Sequence, residues 1–156
     1  MLHATPYDIN YSGFYFSTFD EYQNLYEQHI CEEFEIQFID GDNPQLFSSA
    51  QIDQSNLEVW FEDLEIISDN DNQAIQIQYL LEIGFNLDNA LSKYDGVHVY
   101  HGSASDYACE IFEEYYDIPD YLAQYIDYDK VASDMLINGE ISQYSHEIFI
   151  TNSNDF

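Results

Sequence analysis

Residues 106–117 read DYACEIFEEYYD. Advancing about 100° per residue from Asp106, Glu110, Glu113, Glu114 and Asp117 fall at about 40°, 340°, 80° and 20°. Ala108, Ile111, Phe112 and Tyr115 fall on the opposite side, between about 140° and 240°. The spacing predicts a helix with one core face and one face made of carboxylates. Residues 57–67, LEVWFEDLEII, repeat the arrangement: Glu58, Glu62 and Glu65 lie within about 60° of one another, opposite Trp60, Leu64 and Ile67.

A solvated helix face normally mixes Glu with Lys at i,i+4, which gains about 0.2–0.5 kcal/mol per pair, and like charges at that spacing cost a similar amount. Glu110 with Glu114, Glu113 with Asp117 and Glu58 with Glu62 are all like pairs, so helix stability does not account for them. The imbalance runs through the whole chain. Its 156 residues carry 31 Asp and Glu against two Lys (Lys93 and Lys130) and no Arg, for a formal charge of -29. The acids are spread along the sequence, as on a folded surface and unlike an acidic tail.

Disorder is the first explanation that such a charge suggests, but disordered acidic chains are poor in aromatics. This one has 15 Tyr, 11 Phe and one Trp, with only six Gly and three Pro, which is enough apolar surface for a core. Cys31 and Cys109 form no CxxC pair and read as thiols in a reducing compartment. There is no basic, apolar leader and no apolar run of membrane-spanning length, so a cytoplasmic protein is expected.

The order of elements predicts an α+β fold in three parts. The N-terminal lobe, 1–56, has a short strand at Gly13–Phe16, a helix from Phe19 to His29 capped by Ser17 or Thr18, and a strand at Glu33–Phe38 that alternates with period two. The turn DGDNP closes it. The middle lobe, 57–95, is helical: 57–67 capped by Asn56, 71–83 ended by Gly84, and 86–94. The C-terminal lobe, 96–156, opens with a strand at Val97–Tyr100 and the acidic helix, then restarts helically at Pro119. It closes with antiparallel EISQYS and HEIFIT after Asn138-Gly139.

Five acids over residues 106–117 span about 16 Å of helix, or one charge per about 4 Å. One DNA strand carries a phosphate every ~3.4 Å along the axis, so the stripe is a plausible substitute for phosphates.

With those residues in view, the chain resembles the ArdA antirestriction proteins, DNA mimics carried by conjugative and other mobile elements. The resemblance is clearest in VHVYHGSASDYACEIFEEYYDIPDYLAQYIDYDKVASDM (97–135). It continues in FYFSTFDEYQNLY (14–26), EEFEIQFIDGDN (32–43) and LEVWFEDLEII. It implies an elongated chain of three small lobes, a homodimer, and inhibition of type I restriction-modification enzymes by occupying their DNA-binding groove. Carried over by position, the mimicking acids include Asp106, Glu110, Glu113, Glu114, Asp117, Asp120, Asp127 and Asp129. Glu58, Glu62 and Glu65 join them on the second stripe, and Tyr125 and Tyr128 lie where a dimer contact is expected. The N-terminal MLHATPYDINYSG departs from the YNxGxxxGxW-like pattern of many members.

Glycosidases use carboxylate pairs, but no acid here stands in a pocket-like context. The segments 40–51 and 69–80 match a calcium loop only in part, with Pro44, Gln45 and Gln51 in the first and Ala74 in the second where the pattern needs other residues. His98, His101 and Cys109 match no usual zinc spacing. Halophilic adaptation also selects acidic surfaces, but no catalytic motif accompanies this one. With no Arg and two Lys, direct nucleic-acid binding is excluded electrostatically. The expectation is a DNA-mimic inhibitor that is not an enzyme and needs no cofactor or metal. The alternative is an acidic inhibitor of another DNA-binding protein, such as a CRISPR effector, a repressor or a nucleoid protein.

Overall fold

The computed structural model describes residues 1–67 and 71–156. The fold is α+β, with two compact units, Met1–Leu91 and Ser92–Phe156. Asp69 and Asn70, which begin the second calcium-like segment, lie outside the described residues.

Unit 1 is built on a three-stranded antiparallel sheet of order β2-β1-β3, with β1 at Leu2–Pro6, β2 at Phe14–Phe16 and β3 at Phe34–Phe38. The alternation expected of 33–38 is present: Phe34 and Ile36 are buried and Glu35 is exposed. The register places Leu2 opposite Phe16 and Phe38, and Ala4 opposite Phe14 and Ile36, so one face collects the apolar side chains. The central strand is the one the sequence did not announce. Leu-His-Ala-Thr-Pro has weak strand propensity, and pairing on both edges supplies what propensity lacks.

Helix α1 (Phe19–Tyr26) starts on Thr18, whose hydroxyl accepts from the Glu21 amide (3.1 Å), while Glu21 Oε2 accepts from the Ser17 amide (2.8 Å). Its Tyr22 packs on Phe14 and Phe16. Helix α2 runs Pro44–Ser49, beginning on the last residue of DGDNP because Pro44 suits a first helical turn, so 44–49 of the calcium-like segment 40–51 is helical. Segment 57–67 is shorter and less regular than expected. A single turn, α3 (Leu57–Val59), passes into a π turn at Trp60–Leu64, closed by the Glu65 amide on the Trp60 carbonyl (2.8 Å). Trp60, 1% exposed, is held edge-on against Phe47 (4.9 Å between centroids) and Phe38 (6.1 Å). Helices α4 (Asn72–Glu82, capped by Asp71) and α5 (Leu87–Lys93) follow the expected spans closely.

Unit 2 has a second antiparallel sheet, order β4-β6-β5, with β4 at Val99–His101, β5 at Ser142–Ser145 and β6 at Ile148–Ile150. The acidic helix is α6, Ala104–Tyr115, two residues earlier at each end than the sequence suggested. Tyr116 turns to extended backbone ahead of Pro119, whose ring would meet the Tyr115 carbonyl if the helix ran on. The helix restarting at Pro119 is a single turn, α7 (Asp120–Ala123), and the chain restarts again as α8 (Tyr128–Ile137). Asp127 causes that second start by accepting from the Lys130 amide (3.1 Å). Helix α8 packs against α6, and the two bury Ala108 and Ala132.

Asn43, 4% exposed, caps α2 from the left-handed region (φ 61°, ψ 45°), and its amide donates to the Ile67 carbonyl. Asn43→Ala leaves that carbonyl short of a donor and puts a Cβ residue without local hydrogen bonding at positive φ, for a loss of about 2–4 kcal/mol. Asn43→Gly removes the second cost and should lose about 1 kcal/mol less. Trp60 is the chain's single tryptophan, so its fluorescence in a urea titration reports unit 1 directly.

Candidate functional site

All 31 acidic residues except Asp69, which lies outside the described residues, are exposed. An unpaired carboxylate loses several kcal/mol on leaving water, and two lysines cannot pair with so many, so the surface is where these groups must stand. They are not all held alike.

On α6, Asp106 completes a capping box. Its N–H donates to Ser103 Oγ (3.0 Å), and its carboxylate accepts from the Ser103 hydroxyl (2.6 Å) and amide (3.3 Å). Glu110 Oε1 accepts from Tyr100 Oη (2.8 Å), reached from β4. The turn between β4 and α6 makes this possible at Gly102 (φ 151°), where a Cβ would stand 2.9 Å from the Tyr100 ring. Desolvation pushes the Tyr100 hydroxyl up to about 12, with the Glu110 hydrogen bond and the Glu110 and Asp106 charges adding to it. Asp129, on α8, accepts from the Ser105 hydroxyl of α6. Asp127 is the α8 cap. Capping, strand-to-helix and cross-helix bonds thus hold Asp106, Glu110, Asp127 and Asp129.

Glu114, Asp117 and Asp120 stand free of such bonds, and Glu113 has only a long contact from Cys109 Sγ (3.8 Å). Asp117 lies beyond the end of α6, in a tight turn closed by the Ile118 amide on the Tyr116 carbonyl (3.0 Å), so the helical position expected for it, and its i,i+4 pairing with Glu113, do not apply. Tyr115, expected on the core face, is 69% exposed in the last turn, whereas Ala108 is buried and Ile111 and Phe112 are half-buried. In unit 1, Glu58 and Glu62 are exposed on α3 and the π turn, opposite buried Leu57, Trp60 and Leu64. Burial pushes the Glu65 carboxyl up, and the N-terminal ammonium acts against that.

The two tyrosines singled out for a dimer contact differ. Tyr125 is 78% exposed; Tyr128 is half-buried, edge-on to Phe112 (5.9 Å), and desolvation pushes its hydroxyl up. The larger exposed aromatic surface, which the sequence reading passed over, comes from Tyr115, Tyr116 and Tyr121. Tyr115 closes α6, Tyr116 follows it and Tyr121 sits in the single turn of α7, where little packs over them. His98 precedes β4 and uses its main chain, donating to Asn152 Oδ1 (2.8 Å) and accepting from the Thr151 amide (2.9 Å). Among the described residues, no group of three or more His, Cys, Asp or Glu is placed to hold a metal ion, and no helix is long and apolar enough to cross a membrane.

The Tyr100–Glu110 contact carries a pH signature. A tyrosine whose folded pKa is raised above its unfolded value of about 10 contributes stability that is complete below that pH and is lost as pH rises toward about 12. Tyr100→Phe should therefore flatten the fall in urea stability across that window and leave one fewer late-titrating tyrosinate in the ultraviolet titration. A variant with an unchanged alkaline profile would count against the contact.

A family model described as Antirestriction protein (ArdA) matches residues 6–149 of the chain. Among curated proteins and among solved structures, nothing matches it.

Proposed function

The chain belongs to the ArdA antirestriction family, a family of inhibitors, and we propose on that premise that it is a DNA mimic that occupies the DNA-binding groove of a type I restriction-modification enzyme. The observation that carries this reading is the uniform exposure of the carboxylates among the described residues, in a chain with two Lys and no Arg. Such a surface is repelled by DNA and attracted to any cleft shaped and charged for DNA. The chain performs no reaction of its own; inhibition is competition, in the cytoplasm of a cell that a mobile element has entered. The lobes that carry these acids are 1–56, 57–95 and 96–156, the first lying within the compact unit Met1–Leu91. The acids of 57–65 and 106–129 face the enzyme.

Within that set, Asp106, Glu110, Asp127 and Asp129 serve as fixed charges and Glu58, Glu62, Glu65, Glu113, Glu114, Asp117 and Asp120 as adjustable ones. A homodimer joined through the exposed tyrosines near Tyr125 would present twice 29 negative charges, equivalent to roughly 100 Å of duplex. That length suits a large multisubunit DNA enzyme.

Titration of the purified protein into a type I enzyme holding a labelled duplex should release the duplex near stoichiometric ratio. Direct affinity for the enzyme, measured without DNA, should fall as salt is raised. Absence of release at any ratio would overturn the reading.

Affinity spread over many acids predicts that Glu113→Gln alone changes binding less than about fivefold, from the 0.2–1 kcal/mol of an exposed charge pair. Replacing Glu113, Glu114, Asp117 and Asp120 together by their amides should weaken it by up to about 600-fold. Asp106 is left out of that set because it caps α6. In sedimentation, Tyr121→Ser with Tyr125→Ser should shift the protein to monomer; a dimer unaffected by both would place its contact elsewhere.

A further inference from the structure

Unit 1 contains an open groove of about 660 Å³, lined chiefly by Phe19, Tyr22, Tyr26, Glu27, Glu32 and Gln54. Three of these come from one face of α1 at i, i+3 and i+7, and their rings lie nearly parallel. Phe19 and Tyr22 are 6.3 Å apart at 17°, and Tyr22 and Tyr26 are 5.7 Å apart at 27°. Tyr22 is buried and forms the floor; Phe19 and Tyr26 are half-buried and present ring surface to the opening.

Gln54 fixes the shape. Its Oε1 accepts from the Phe34 amide (2.7 Å), and its Nε2 donates to Tyr22 Oη (2.8 Å) and to the Glu32 carbonyl (3.2 Å). Tyr26 Oη also donates to that carbonyl (3.3 Å), so the segment carrying Glu32 is tied to both α1 and β3. The exposed side-chain carboxylates of Glu27 and Glu32 have no hydrogen-bond or ion-pair partner among the described residues.

Aromatic faces combined with unpaired carboxylates attract a cation and repel a phosphate. Unit 1 has no Lys or Arg of its own to fill the groove, since Lys93 and Lys130 both belong to unit 2. A second copy of the chain has no Arg to offer either. We propose that this groove receives an arginine side chain from the basic face of the protein partner, the guanidinium lying between Phe19 and Tyr26 over Tyr22 and donating to Glu27 and Glu32. Arginine fits better than lysine because the planar guanidinium stacks on rings and is more weakly hydrated. The assignment rests on the reading that the partner is a basic, DNA-handling protein. It adds a contact that DNA itself does not make: a seat for one side chain, where the acid stripes supply a field.

The test is titration of the full chain with N-acetyl-arginine methylamide, followed by two-dimensional NMR, with the neutral citrulline analogue as control. The expected result is saturable shifts of the Gln54 side-chain amide and the Phe19 and Tyr26 rings, absent with citrulline. Glu27→Gln with Glu32→Gln, both exposed and free of structural bonds, should weaken binding by about tenfold. Equal response to citrulline, shifts spread evenly over the acids of 57–65 and 106–117, or no effect of the double variant would each overturn the assignment. No enzyme is present in this titration. A silent groove with duplex displacement intact sinks the arginine seat alone, and a saturable groove with no displacement sinks the competition reading alone.

Discussion

Thirty-one carboxylates and two lysines cannot be arranged into pairs, and every architectural choice in this protein follows from that shortage of cations. Coulomb repulsion between exposed charges in water is weak at any one distance but adds over the whole surface. The folded state must therefore draw its stability from groups that carry no charge. That is the role of the aromatic side chains: Phe14, Phe16, Tyr22 and Phe34 around β1, and Trp60 with Phe38 and Phe47 beneath the π turn. Large rings bury much apolar area per residue and have few rotatable bonds to order.

The same shortage decides how the acids are held. Proteins with balanced surfaces hold carboxylates with lysine and arginine. Here hydroxyls and main-chain amides take that role: Ser103, Ser105 and Tyr100 donate hydroxyl protons to Asp106, Asp129 and Glu110 respectively, and helix N-termini supply amides to Asp71 and Asp127. These donors orient a carboxylate and leave its charge intact. A salt bridge would orient it and cancel the charge that the antirestriction reading requires.

Much of this was legible in the sequence because the relevant signals are local. The alternation of Glu33–Phe38, the cap at Thr18, and the opposition of Glu58 and Glu62 to Trp60 and Leu64 each depend on neighbours a few residues away; the cap expected of Asn56 is not formed, because its side-chain oxygen accepts from the Asp53 amide instead. What could not be read depends on partners far along the chain. β1 is a strand because β2 and β3 flank it, not because Leu-His-Ala-Thr-Pro favours extension. The π turn sits where Trp60 is clamped by Phe38 and Phe47, residues contributed by β3 and α2. The end of α6 at Tyr115 was readable in principle from Pro119, but the acidic pattern ran on through Asp117 and outweighed it. For the candidate site, exposure of the acids followed from composition alone. Which acids are anchored did not, since Tyr100 reaches Glu110 across a turn and Ser105 reaches Asp129 across a helix pair.

That division between anchored and free carboxylates has a further consequence, in entropy. A phosphate in duplex DNA is fixed by the covalent backbone, so a protein docking on it has little of its motion to arrest. A free glutamate side chain must surrender rotamers on docking, at a cost of up to about 1.5–2 kcal/mol. Asp106, Glu110, Asp127 and Asp129 have lost that freedom during folding, within the isolated protein. On the proposed DNA-mimic reading, those four positions would match the stiffness of the nucleic-acid backbone as well as its charge, and each contact formed there would keep more of its electrostatic gain.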